Sequence, residues 1–287
     1  MNKQKLAIIA DTGCDIPRSY YAREDLFIVP FRVIYKDREY IDGETITTEE
    51  VYARLSEEIP TTSLPSGEDI IAILDRARNA GFEKAIIVTV SAALSGTNNF
   101  MNLLTKDYPG MEIKVLNTKS IGIGAGMFGI DALQCIDAGM SAEDIWKRLE
   151  AQVTKTDIFF SLDTLEYLRK GGRIGHVASL LGMAIKIKPV ISCDKDGVYY
   201  IARKARGRKQ SLQFIADAIK EYVKGHSRYI LAYCEAEAKS DMEKVKMLLA
   251  EEEGKATLLL DNIVLSPCLG INTGPGLVGV GVYLLPE

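Results

Sequence analysis

Hydroxyl side chains gather at two places in the chain. In AIIVTVSAALSGTNNF, residues 85–100, an apolar, β-branched run ends at Val90 and gives way to Ser91, Ser95, Gly96 and Thr97 before helical apolar spacing resumes. In PTTSLPSGEDI, residues 60–70, two prolines predict an extended loop, and Ser66 with Glu68 and Asp69 predicts a capped helix start. Thr62 and Ser63 have no such local task. A strand that ends in a Ser-Gly-Thr turn and opens a helix offers N–H groups, hydroxyls and the positive helix end to an anion. No Lys or Arg lies between Ala85 and Thr105, whereas a multiply charged phosphate usually recruits one, so a singly charged carboxylate suits the turn better. A second reading stays open, in which Ser95 caps a helix and Gly96 relieves the turn.

Other chemistries find less support. A serine nucleophile needs a base and an orienting partner, yet the chain has only two histidines and no G-x-S-x-G elbow around Ser91 or Ser95. His176 opens an apolar segment after a glycine turn and His226 lies in a polar connection, so both read as surface or capping residues. GAGMFG, residues 124–129, matches a dinucleotide fingerprint, but TKSIGI separates it from its strand and another helix follows; small residues that let a helix pack closely are the preferred reading. GPGLVG, residues 274–279, leaves too little chain for a helix and a strand. The five cysteines, Cys14, Cys135, Cys193, Cys234 and Cys268, lack metal or redox spacing and read as thiols of a reducing cytosol. No catalytic residue, metal site or cofactor is expected.

At 287 residues, 47 % of them apolar, the chain has material for about two domains. A net charge of −4, spread in short mixed runs, argues against nucleic acid as a partner. The apolar run Leu6–Ala10 is too short for a secretion signal, no run approaches the ~20 residues of a membrane span, and a cytoplasmic location is expected. KLAIIAD, LFIVPFRVIY, KAIIVTV and EIKVLNT read as strands alternating with helices, which predicts an α/β protein with a doubly wound parallel sheet over residues 1–154. Beyond SAEDIWKRLEAQV the pattern changes. DIFFSL, PVISC, VYYIARK, RYILAYCEA, TLLLDNIV and GVGVYLL, with a hairpin at Asp194–Gly197 and two amphipathic helices, predict an α+β domain over 155–287 with a mostly antiparallel sheet.

ADTGCDIP, TTSLPS, SAALSGTNNF, NTKSIGIGAG, LEYLRKGGRIG, KPVI, KARGRK and NTGPG follow in an order and spacing that resembles the DegV family of bacterial fatty-acid-binding proteins across essentially the whole chain. The resemblance implies a long-chain fatty acid between or within the two domains, in a lipid carrier or transport protein without catalytic machinery. It assigns the carboxylate to Thr62 and Ser95, with the Gly96 N–H and Ser63 beside them. Some members present the bound acid to a separate kinase subunit, a step associated with positions 173, 206 and 272. Arg173 and Arg206 are kept, while Asn272 stands where those members have histidine and supplies no titratable proton. Arg173 could equally pair with a nearby carboxylate, and Arg206 could belong to a solvated basic strand end. Asp11, Thr12 and Asn117 are expected to support turns. HVASLLGMAIKI and GMFGIDALQCI could wall an acyl tunnel, although apolar helix faces more often belong to the core.

Overall fold

The computed structural model describes residues 1–180 and 187–286. The first half of the chain carries β1 (Leu6–Asp11), β2 (Leu26–Val29), β3 (Arg32–Ile34), β4 (Glu39–Ile41), α1 (Thr48–Arg54), β5 (Thr61–Ser63), α2 (Gly67–Asn79), β6 (Lys84–Thr89), α3 (Thr97–Thr105), β7 (Glu112–Asn117), α4 (Ile123–Asp137) and α5 (Ala142–Gln152). Strands β2, β1, β6 and β7 form, in that order, a wholly parallel sheet. Side chains alternate across a strand. Leu6, Ile8 and Ala10 therefore enter one core and Ala7 and Ile9 another, so both faces of the sheet are covered. Helix α2 begins where the sequence places it: Ser66 Oγ accepts from the Asp69 N–H at 3.0 Å, and the Asp69 carboxylate accepts from the Ser66 N–H.

One predicted strand is two. LFIVPFRVIY breaks at Pro30, which has no N–H to give a ladder. Strand β2 stays in the parallel sheet, while β3 turns into a separate antiparallel sheet of order β4, β3, β5. The stretch PTTS, expected as a loop, supplies β5, with Thr62 opposite Val33.

The second half follows with β8 (Thr156–Ser161), α6 (Glu166–Lys170), β9 (Val190–Cys193), β10 (Tyr199–Arg203), α7 (Arg208–Val223), β11 (Tyr229–Glu235), α8 (Lys239–Leu248), α9 (Ala250–Lys255), β12 (Leu258–Val264), α10 (Pro267–Thr273) and β13 (Val278–Leu284). Its six strands run in the order β10, β9, β8, β13, β11, β12, antiparallel except for the β11–β12 pair. The molecule is thus an α/β fold with a four-stranded parallel sheet and a mixed, mostly antiparallel six-stranded one. The predicted hairpin closes at Asp194–Gly197, and Ser91 Oγ donates to the Gly197 carbonyl at 2.8 Å, docking the hairpin tip on the β6 turn.

Helix α4 lies between the two sheets, touching β1 and β6 on one side and β8, β11 and β13 on the other. Its glycines permit this. A methyl at Gly126 would overlap the Cys14 carbonyl oxygen, and one at Gly129 would sit 2.8 Å from Ile16 Cδ1. GAGMFG is a packing motif, and GMFGIDALQCI is buried in the core apart from Gln134. Residues 181–186 of HVASLLGMAIKI lie outside the described residues.

Helix propensity alone would reward Gly126→Ala by about 1 kcal/mol. The overlap with Cys14 should reverse the sign and cost about 1–3 kcal/mol, read as a lower urea midpoint at unchanged m-value. A raised midpoint would show that α4 has room to spare.

Candidate functional site

A pocket of about 50 Å³ opens where the ends of β1 and β6 meet β5, α10 and the turn after α6; Thr62, Ser95, Arg173 and Asn272 are among its lining residues. Four predicted positions, drawn from four separate segments, are therefore brought together. Thr62 sits half-buried on β5, and strand alternation turns its neighbour Ser63 to the exposed side, outside the pocket. Ser95 lines the pocket while its Oγ pairs with Thr97 Oγ1 at 2.8 Å and accepts from the Thr97 N–H at 3.3 Å. Ser95 is thus not the helix cap; it precedes the cap residue and bonds the first helical residue, Thr97. Gly96 is the exposed N-cap of α3 with φ −69°, so no left-handed turn demands glycine there, and it is not among the lining residues.

Arg173 follows the Gly171-Gly172 turn that ends α6, with Gly172 at φ +74°. Its Nη1 donates to the Gly171 carbonyl at 2.6 Å and its Nε to the Leu94 carbonyl at 3.4 Å. Among the described residues no carboxylate pairs with it, so the guanidinium supplies the pocket with the cation that the Ser-Gly-Thr segment lacks. Asn272 projects from α10 and donates from Nδ2 to the Cys268 carbonyl at 2.8 Å; its Oδ1 lies where any side chain at Gly171 would collide. Arg206 is exposed and does not line the pocket. In KARGRK it is Arg208 that turns inward, bonding Asp241 at 2.7 Å and the Gly276 carbonyl at 2.7 Å.

Tyr199, Ile121 and Leu269 line both this pocket and a second chamber of about 30 Å³, whose further walls include Ile158, Phe160, Leu265 and Leu277. Tyr199 is buried and meets Phe160 edge to face at 5.4 Å. A pocket that carries four polar side chains therefore adjoins a chamber with almost wholly apolar walls. Sequence reasoning missed Tyr199 because VYYIARK offers its tyrosines without saying which faces inward. The alternation set by the β9–β10 hairpin, with Tyr199 opposite Cys193, was the available signal.

The supporting residues hold turns. Thr12 Oγ1 accepts from the Phe31 N–H at 3.0 Å, and Asn117 Oδ1 from the Ala92 and Lys119 N–H groups at 3.2 and 3.1 Å. Asp11 accepts from the Val90 N–H at 3.1 Å, and burial pushes its carboxyl up to about 7. Asp15 and Asp42, also raised by burial, accept from the N–H groups of Ser266 and Cys268 at 2.9 and 2.8 Å. His176 is exposed, 3.5 Å from Asp194, and neither histidine lines the pocket. Among the described residues no group of His, Cys, Asp or Glu is placed to hold a metal ion, and no helix is long and apolar enough to cross a membrane.

Comparison with known proteins places this architecture. The family model described as an uncharacterised protein of the DegV family matches residues 5–285. A DegV domain-containing protein of Clostridium acetobutylicum is 35 % identical over 280 residues, covering 96 % of this chain and 98 % of that protein. The solved structure of a fatty-acid-binding DegV family protein from Thermus thermophilus superposes with a TM-score of 0.91 at 27 % identity, covering 99 % of this chain and 100 % of that one. A stearic-acid-binding protein from Eubacterium ventriosum matches with a TM-score of 0.84 at 28 % identity, covering 97 % and 98 %.

The buried Asp11 leaves a signature in stability. Its carboxyl titrates near 3.8 when unfolded and near 7 when folded, so folding stability falls as pH rises from about 4 to about 7 and levels off above. Asn at position 11 keeps the acceptor for the Val90 N–H and never ionises. Asp11→Asn should therefore gain stability relative to the parent across that interval, in urea titrations at several pH values. A pH-independent difference would show that Asp11 is ionised throughout.

Proposed function

The chain belongs to the DegV family, and from this we propose that it is a long-chain fatty-acid-binding protein that buries the acyl chain and holds its carboxylate at the polar mouth. The observation that carries the reading is the juxtaposition of two hydroxyls and an unpaired guanidinium, from Thr62, Ser95 and Arg173, with an apolar chamber behind them. The solved relatives at 27 and 28 % identity, whose descriptions specify fatty acid and stearic acid, support the same ligand class.

The energetics divide the labour. About 14 methylenes at ~0.8 kcal/mol each give on the order of 10 kcal/mol of gross burial energy, so the tail supplies most of the affinity. Charge-assisted hydrogen bonds contribute ~1.5–3 kcal/mol each, and they make it tolerable to bring an ionised head out of water. Ligand pockets usually measure ~300–1,000 Å³, well above the two chambers seen here. The side chains that line both, Ile121, Tyr199 and Leu269, are the ones that must shift for the chambers to merge around a tail. All five cysteines are free thiols, which supports a reducing, cytoplasmic setting for a carrier in lipid metabolism or transport.

A second reading makes the chain the acyl-presenting subunit of a two-component fatty acid kinase. Arg173 favours it, because a guanidinium held by backbone carbonyls stays available to an anionic head or an incoming phosphoryl group. Exposed Arg206 is then a candidate contact for the kinase subunit. Asn272 opposes it, since its amide donor is engaged with Cys268 and carries no titratable proton.

Organic extract of the purified protein should contain a stoichiometric long-chain acid, identified by mass spectrometry. Thr62→Ala/Ser95→Ala should weaken acid binding by at least about tenfold, corresponding to the loss of one or both charge-assisted bonds. An empty parent protein that also refuses added fatty acid would overturn the reading. Acyl phosphate formed from the loaded protein by a kinase subunit and ATP would establish the second role; its absence from both the parent and an Asn272→His variant would remove it.

A further inference from the structure

Among the described residues, three carboxyl groups lie close to the pocket with no cation paired to them. Asp11 comes from the end of β1, Asp15 from the turn after it and Asp42 from the loop after β4, and all three are buried. Each receives one backbone N–H, from Val90, Ser266 and Cys268 respectively, and Asp42 Oδ2 has no hydrogen-bond partner. Among the described residues none of the three forms an ion pair. Asp42 repels both others and Asp11 repels Asp15. The cluster adjoins the pocket through its partners: Val90 and Cys268, the donors to Asp11 and Asp42, line it, as does Gly13, where a methyl would sit 3.2 Å from Asp11 Oδ1, and Asp15 lines the adjoining chamber.

We propose, building on the acyl-carboxylate reading above, that entry of the ligand's carboxylate drives uptake of a proton by the cluster of Asp11, Asp15 and Asp42, so that binding and protonation are linked.

The reason is Coulombic. Like charges in a poorly solvated interior cannot all ionise, and a fourth carboxylate beside three raises their affinity for protons. The groups around the cluster do not supply a compensating charge. Cys14 and Cys268 face it as thiols that burial keeps neutral, and Tyr21, Tyr52 and Tyr199 face it as phenols shifted the same way. Arg173 is held on the carbonyls of Leu94 and Gly171, and Arg18 donates to the Gly43 carbonyl. On the outer side, Asp15 and Asp42 border a groove in which Arg18 and Arg76 stand against Glu44, Glu49 and Asp261. With Asp11 titrating near 7, the cluster is poised to gain a proton at neutral pH.

The test is calorimetry of dodecanoate binding near pH 7 in two buffers of different ionisation enthalpy, phosphate and Tris. The heats should differ by an amount that reports net proton uptake, and affinity should weaken with rising pH above 7, by up to about tenfold per pH unit for one full proton. Dodecanol, which brings no charge, should bind without uptake. In Asp11→Asn, Asp15→Asn or Asp42→Asn the uptake should shrink; undiminished uptake in all three variants would place the proton outside the cluster and overturn the proposal. Dodecanoate binding with equal heats in the two buffers would overturn the linkage while leaving the fatty-acid reading intact. No binding of dodecanoate, nor of longer acids, would remove that reading and the linkage with it.

Discussion

Helix α4 has a parallel sheet on one side and an antiparallel sheet on the other, and this sandwiching constrains everything else. A helix buried on both sides must be apolar all round and small where backbones approach, which is what IGAGMFGIDALQCI provides. The one acidic residue it carries inward, Asp131, is held by Arg148 through two bonds of 2.7 Å and by the Tyr283 hydroxyl at 2.7 Å. That network joins α4, α5 and β13. Removing Arg148 would leave a buried acidic group unpaired, so the network ties α4 and α5 to the antiparallel sheet through β13.

With the sheets fixed about α4, the ends of β1 and β6 reach segments contributed by the second half of the chain. The hairpin tip at Gly197 meets Ser91, the start of α10 meets Asp15 and Asp42, and the turn after α6 brings Arg173 to Leu94. Each junction is polar and short-ranged. The pocket therefore exists only where residues from 13 to 272 converge, at the carboxyl ends of parallel strands where doubly wound sheets gather ligand groups.

Local signals were legible in the sequence, and long-range geometry was not. Ser66 with Asp69, the hairpin at Asp194–Gly197 and the glycines of α4 follow from rules that act within a few residues. Pro30 was visible too, but its consequence, the transfer of β3 to another sheet, depends on the Phe31 N–H finding Thr12 and the Phe31 carbonyl finding Asp42. Thr62, Ser95, Arg173 and Asn272 were named as separate candidates, and their convergence needed the fold. The choice of Thr62 over Ser63 needed a strand where a loop was expected, because only a pleated strand sends neighbours to opposite faces. The buried partners of Asp15 and Asp42 lie more than 200 residues away, beyond any pattern read along the chain.

The charge arrangement around the pocket explains how a single orientation of an amphiphile can be selected. Arg173 and the hydroxyls of Thr62 and Ser95 offer positive and donor groups in the pocket, while the adjoining chamber is walled mostly by apolar side chains. On the fatty-acid reading proposed above, a carboxylate entering head-first would meet a mostly apolar chamber without a cation among its described lining residues. One entering tail-first keeps its head among donors and leaves the interior to methylenes. On that reading, Arg173 and the two hydroxyls would set the orientation of a singly charged head, and the adjoining chamber would limit how long a tail can follow.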